Sequence, residues 1–357
     1  MSSLEKLSAR LGVRLLARLL RLPPVFVNLL AGRPPKAAPG LHPQALLIGR
    51  LDSLPRPGSN LRLSDIVRQR ELLEVEASAV AGTVQTDVTR SEHLIPGPAG
   101  PLPARLFTPS RARNSGPLLV FFHGGGWVLG SRDSHDGACQ LLAEGSGVRV
   151  LSVEYRLAPE HPFPAAFDDA LAAFRFVAAN PEEFGADPAR IAVGGDSAGG
   201  NLAAVVTNAL RGEGPLPAFQ LLIYPVVDVS TQYPSYSDFA HGFYLTADRM
   251  RTFIAAYVPE EDRGDPRAAP LLEQDLVGLP PTYICTALAD PLRDEGEAYA
   301  RRLDDANVQV ARKRFPQIHG FINMNESRAA RDATAEIAAA LKAGLRVPAS
   351  ERELKAS

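Results

Sequence analysis

The stretch Ile191-Ala192-Val193-Gly194-Gly195-Asp196-Ser197-Ala198-Gly199-Gly200-Asn201-Leu202-Ala203-Ala204 decides how the rest of the chain is read. A short apolar run leads into a Gly-x-Ser-x-Gly turn and then into a helix-forming run, the setting of a nucleophile elbow. Glycines flank Ser197 because so tight a turn leaves no room for side chains against the strand and the helix. Ser197 is thereby pushed out at the carboxyl edge of a sheet, above a helix N-terminus that favours negative charge. The competing reading is a phosphate cradle, but no Lys followed by Ser or Thr closes the loop as that cradle requires.

A second glycine motif lies 74 residues upstream, where Leu118-Leu119-Val120-Phe121-Phe122 runs into His123-Gly124-Gly125-Gly126-Trp127. Consecutive glycines let backbone N–H groups turn into a cavity and hold an oxyanion. Gly125 and Gly126 are the expected donors, with the N–H of Ala198 as a third. His123, Gly124 and Asp196 are expected to support the two turns. A loop that only reverses the chain would explain one such motif less strainedly than two, each after an expected strand.

A serine nucleophile needs a base to take its proton and an acid to orient that base. In hydrolases built on such an elbow both follow the serine along the chain. Of seven histidines, only His241 and His319 do so. His319 stands in Gln317-Ile318-His319-Gly320-Phe321 after the last expected strand, where an imidazole can reach back over the sheet edge. His241 precedes any good acid and is read as part of a cap or pocket wall. Asp290 is the first carboxylate after the apolar run at 282–286, and a residue at a strand's carboxyl end faces the same crevice as the serine. Asp294 and Glu295 fall in the first turn of the next helix, where charge at a helix N-terminus explains them. Asp290 is therefore preferred as the acid.

Working outward, strands are expected at 84–89, 104–108, 118–122, 148–153, 191–193, 219–223, 282–286 and 308–315. From the fourth onward, helical stretches at 165–179, 201–211, 292–306 and 328–345 separate them. That alternation predicts an α/β chain with a mostly parallel eight-stranded sheet flanked by helices. Residues 35–82 carry Pro-rich connections between short helices, one of them at 66–75, and 230–280 is an irregular insertion dotted with aromatics. Both resemble a cap. The expected division is an N-terminal cap segment (1–82), a catalytic domain (83–229 and 281–348) and a second cap segment (230–280).

Composition excludes several classes. The 357 residues are 45% hydrophobic and 22% charged, with a formal charge of −2, which fits a globular chain and offers no field for nucleic acid. Cys139 and Cys285 are too few for a disulfide framework and too far apart for a metal motif, so both are read as reduced thiols of a cytoplasmic protein. No apolar run is long enough for a transmembrane span. Charge is uneven, however: residues 1–40 hold seven basic groups against Glu5 alone, while the remainder holds 31 basic against 39 acidic. Leu4, Leu7, Leu11, Leu15, Leu19 and Leu22 recur at helical spacing beside Lys6, Arg10, Arg14, Arg18 and Arg21, an amphipathic helix stopped by Pro23 and Pro24. Arginines interrupt what would be the core of a signal peptide, so secretion is not expected. The helix is expected to lie over the main domain rather than on a membrane.

Assembled, these residues resemble the bacterial hormone-sensitive-lipase-like carboxylesterases of the α/β-hydrolase superfamily. The resemblance runs over about residues 80–345. It rests on His123–Gly126, on Tyr155-Arg156-Leu157-Ala158-Pro159-Glu160 continuing through His161-Pro162-Phe163-Pro164-Ala165-Ala166, on Gly195–Gly200, on Asp290-Pro291-Leu292-Arg293-Asp294-Glu295 and on His319-Gly320-Phe321. It implies the α/β-hydrolase fold, a Ser197, Asp290 and His319 triad, and ion pairs of Arg156 and Glu160 that hold the loop under the site. It also implies hydrolysis of short- to medium-chain esters through an acyl-enzyme, with no metal or organic cofactor, by a monomer or homodimer whose partner is a small-molecule ester.

Overall fold

The computed structural model describes residues 3–53, 63–81 and 86–346. Its eight strands are β1 (Val88–Gly97), β2 (Gly100–Pro109), β3 (Gly116–Phe122), β4 (Arg149–Val153), β5 (Ala186–Asp196), β6 (Gln220–Ile223), β7 (Thr282–Ala289) and β8 (Val310–Ile318). They form one sheet in the order β1-β2-β4-β3-β5-β6-β7-β8. β2 is antiparallel to β1 and to β4, and the pairs from β4 through β8 are parallel. The eight expected strands are all present, with shifted ends. The largest shift is in β1, expected at 84–89, of which 84 and 85 lie outside the described residues. This strand is an edge partner joined to β2 by a tight hairpin, and its Val-Thr-Arg-Ser-Glu-His run is largely exposed, so no apolar pattern marks it.

The helices are α1 (Ser3–Leu20), α2 (Pro24–Ala31), α3 (Pro43–Asp52), α4 (Ile66–Ala81), α5 (Asp136–Ser146), α6 (Ala165–Ala179), α7 (Ala198–Leu210), α8 (Pro234–Asp238), α9 (Ala247–Tyr257), α10 (Arg293–Asp305) and α11 (Arg328–Gly344). One buried cluster joins α6 and α7 to the central strands, through Leu118, Val120, Val193, Leu202 and Val205 among others. The other joins α5 and α11 to the opposite face, through Leu119, Phe121, Leu142, Ile337 and Leu341. Side chains alternate between faces along each strand, so β3, buried on both, is apolar throughout. All the parallel strands end at one edge, and that edge carries the site.

The N-terminal helices and the 230–280 insertion meet above that edge. Leu41, Leu46 and Leu47 cluster with Phe239 and Phe243, and with Ala289 and Ile318 at the ends of β7 and β8. The approach is close at Gly49, where a Cβ would stand 2.7 Å from the Gly242 carbonyl oxygen. Arg70 of α4 reaches the other side of the site, donating to the carbonyls of Val128 and Ala158 and pairing with both carboxylate oxygens of Glu160 at 2.8 Å.

In α1 the expected helix forms, but only part of its leucine stripe packs. It packs along α4 with Ala9, Val13 and Ala17 half-buried, and Leu16, Leu19 and Leu20 join the apolar cluster of α2 and α3, while Leu7, Leu11 and Leu15 are 54%, 54% and 59% exposed. The sequence holds two apolar stripes, and the smaller residues lie on the packed one because they let the two helix backbones approach.

Candidate active site

Ser197 stands at the β5–α7 turn with φ +55°, in left-handed backbone that only tight surroundings hold. Its N–H donates to the Ile223 carbonyl at 2.9 Å. The flanking glycines are sterically required: a Cβ on Gly199 would lie 1.9 Å from the Phe122 carbonyl oxygen, and one on Gly195 2.4 Å from the same atom. Elbow and third strand are thus pressed together, which brings the two glycine motifs side by side.

Asp290 follows β7 directly and is fully buried. One carboxylate oxygen accepts the Leu292 N–H at 2.9 Å, and the other lies 2.8 Å from His319 Nδ1. Because a carboxylate can only accept, Nδ1 carries the proton, and Nε2 is left to accept from the Ser197 hydroxyl at 2.9 Å. His319 is itself held by the ring of Tyr224, 4.7 Å away, and Gly320 beside it takes φ +77°. The structure thus joins Ser197, His319 and Asp290 in one chain of hydrogen bonds. His241 stays outside it, exposed in the 230–280 insertion.

The His123–Trp127 loop lies opposite. Gly125 and Gly126 take φ +119° and +63°, conformations that glycine adopts at least cost. Among the described residues no acceptor takes the N–H of Gly125, Gly126 or Ala198. Gly124 is different: its N–H donates to Asp196 Oδ1 at 2.8 Å, which straps the loop to the elbow. The same carboxylate pairs with His135 Nε2 at 3.2 Å and accepts from the Tyr224 hydroxyl at 3.3 Å. Burial alone would raise the Asp196 carboxyl and depress His135. Their mutual attraction outweighs it, so Asp196 is held below and His135 above the ordinary value. His123, stacked on Tyr155 at 4.3 Å, has no such partner, and burial lowers it to about 4. It is a neutral structural ring whose carbonyl accepts the Tyr155 hydroxyl at 2.7 Å.

Helix α9, in the 230–280 insertion, completes the loop's enclosure. Trp127 stacks on Tyr257 of α9 at 4.7 Å, and a Cβ on Gly126 would strike the Phe253 ring at 2.3 Å. Gly126→Ala is therefore expected to displace the loop and lower kcat on a soluble ester about 10²–10³-fold, as loss of one oxyanion donor does. Adding Phe253→Ala should return part of the rate, measured at saturating substrate.

Sequence reasoning missed three positions here. His135 and Phe253 act through contacts across 61 and 127 residues, with Asp196 and Gly126, which leave no local pattern. Glu295 was assigned to helix-end charge and instead is fully buried, accepting from the N–H groups of Val227 and Asp228 at 2.9 and 3.4 Å. Burial holds its carboxyl well above the usual range, so the folded protein keeps a proton that the unfolded chain releases near pH 4.5. Stability then falls as pH rises between those two values, by about 1.4 kcal/mol per unit for one proton. Glu295→Gln, which mimics the neutral acid, is expected to remove this slope and to raise Tm at neutral pH, checked by thermal unfolding from pH 4 to 8. Nearby, Arg156 grips Asp169 with two bonds of 2.8 Å, and Glu160 is the partner of Arg70.

Comparison with known proteins bears on the same residues. A family model described as alpha/beta hydrolase fold matches residues 119–323, from β3 past His319. The chain is 45% identical over 292 residues to the carboxylic ester hydrolase LipN of Mycobacterium tuberculosis, covering 79% of this chain and 77% of that protein. The chain belongs to the α/β-hydrolase family. Within it, this hydrolase falls among the hormone-sensitive-lipase-like carboxylesterases. It is also 43% identical over 230 residues to the ethyl acetate hydrolase of Pseudomonas putida, across 62% of this chain and 72% of that one. Among solved structures, the hyperthermophilic esterase of the archaeon Pyrobaculum calidifontis superposes with a TM-score of 0.75 at 40% identity, over 78% of this hydrolase and 93% of that chain.

Proposed function

We propose that this α/β hydrolase is a serine carboxylesterase for short- to medium-chain acyl esters, with Ser197 as nucleophile, His319 as base and Asp290 as orienting acid. The observation that carries the reading is the continuous Ser197–His319–Asp290 chain, at 2.9 and 2.8 Å, facing three backbone N–H groups that have no acceptor among the described residues. His319 Nε2 takes the Ser197 proton as Oγ attacks the acyl carbonyl. The developing oxyanion is met by the N–H groups of Gly125, Gly126 and Ala198, with the N-terminus of α7 behind them. Protonated His319, its charge balanced by Asp290, then gives the proton to the leaving alcohol. Water enters, His319 deprotonates it, and the acyl-enzyme is released as the acid. These steps draw on side chains, backbone and water, and every group belongs to one chain, so a monomer or a homodimer serves equally.

Residues 1–82 and 230–280 act as the cap over a catalytic domain of 83–229 and 281–348. The close approach of Phe253 to Gly126 and of Tyr244 to Gly320, next to His319, supports a small pocket, as does the resemblance to an ethyl acetate hydrolase. Two buried free thiols, Cys139 and Cys285, fit a reducing cytoplasm. The test is hydrolysis of p-nitrophenyl esters from acetate to palmitate beside the matched anilides. Rates should be highest at short and medium chains, fall at palmitate and be far lower on every anilide. Preference for palmitate or for the anilides would overturn the substrate reading.

A further inference from the structure

We propose that α1 and α2 dock this protein on a lipid bilayer with anionic headgroups. Eight of the thirteen exposed large hydrophobic side chains among the described residues lie between Leu7 and Leu30. On α1 they are Leu7, Leu11 and Leu15, which fall within about 80° of one another around the helix axis. On α2, whose sequence carries no charge, Val25 and Leu29 are 73% and 76% exposed, with Phe26 and Leu30 beside them at 54% and 47%. Singly scattered apolar residues are ordinary on a surface, whereas a concentration on two consecutive helices marks something that covers them.

Charge identifies the covering. Arg18 shares the arc of the exposed leucines and Arg14 and Arg10 flank it on one side, and none of the three has a carboxylate partner among the described residues. The neighbouring charges are used differently. Lys6 and Arg21 pair with Glu71 and Glu326, and Glu5 pairs with Arg68, which clamps the packed face and leaves no acidic group on the outer one. Leucines interleaved with free arginines suit an interfacial helix, whose apolar side chains enter the acyl boundary while the guanidinium groups reach back to phosphate. A second copy of the chain fits poorly, because a two-fold contact would set the same unpaired arginines against each other. Neither helix is apolar and long enough to cross a membrane. Docking would hold the esterase where apolar esters partition.

The experiment is co-sedimentation of the full chain with vesicles of phosphatidylcholine alone or mixed equally with phosphatidylglycerol. Binding is expected to the mixed vesicles, weaker at high salt and far weaker on phosphatidylcholine alone. Each basic group near an anionic surface is worth roughly five-fold in affinity, so Arg10→Gln, Arg14→Gln and Arg18→Gln together should weaken binding on the order of a hundred-fold. Leu11→Ser, Leu15→Ser and Phe26→Ser together should abolish it. Hydrolysis of p-nitrophenyl acetate serves as the folding control for both variants and should be unchanged. Wild-type protein that stays in the supernatant with mixed vesicles overturns the proposal, as do variants that sediment like wild type. So does a wild-type dimer on gel filtration that the serine variant dissociates, since that assigns the face to a second copy.

Discussion

Ser197→Ala is expected to lower kcat on p-nitrophenyl acetate by about 10⁴–10⁶-fold while leaving the fold and Tm nearly unchanged. The loss is large because the other groups act only through the hydroxyl: without Oγ, His319 has no proton to take and the N–H groups of Gly125, Gly126 and Ala198 face no tetrahedral centre. What remains over solvent is binding and polarisation of the carbonyl. Stability should hold because the strain at φ +55° is in the backbone, and the Ser197 N–H bond to Ile223 survives the substitution. A purified variant with a wild-type circular dichroism spectrum and the stated loss in initial rate is the expected result.

Asp290→Asn should be nearly as severe, about 10⁴-fold in kcat, for a reason of proton position rather than lost contact. The Leu292 N–H can still donate to the amide oxygen. Facing His319, the amide then presents its NH₂, which forces Nδ1 to accept and moves the imidazole proton to Nε2. That nitrogen can no longer take the serine proton. KM should change little, so the comparison to make is kcat against KM on one soluble ester, with a raised rate at high pH expected as hydroxide replaces the missing base.

Much of this site was legible before the fold was known because its constraints are local. Gly195 and Gly199 are demanded by a carbonyl 2.4 and 1.9 Å from where a Cβ would be, and Gly125 and Gly126 by positive φ, so those demands show in five-residue motifs. The central strands were legible for a similar reason: β3 and β4 are buried on both faces, β3 with a continuous apolar run and β4 with Val150, Leu151 and Val153 beside Arg149 and Ser152. Where one face meets water the signal weakens, and β1, polar and at the sheet edge, was misplaced. Pairings across the chain were not legible at all. Nothing near Asp196 announces His135, and nothing near Gly126 announces Phe253. For α1, periodicity gave one leucine stripe but not which face packs, which depends on what α4 offers opposite. Leu7, Leu11 and Leu15 of that stripe face out.

Covalent capture reads out whether Ser197 is the nucleophile. Incubation with diethyl p-nitrophenyl phosphate, followed by intact mass spectrometry and peptide mapping, should show one diethylphosphoryl group per chain, on the peptide containing Gly195–Gly199, with activity lost in proportion. Ser197→Ala should take up none. Labelling of another residue in the wild type, or stoichiometric labelling of the alanine variant, would contradict the account.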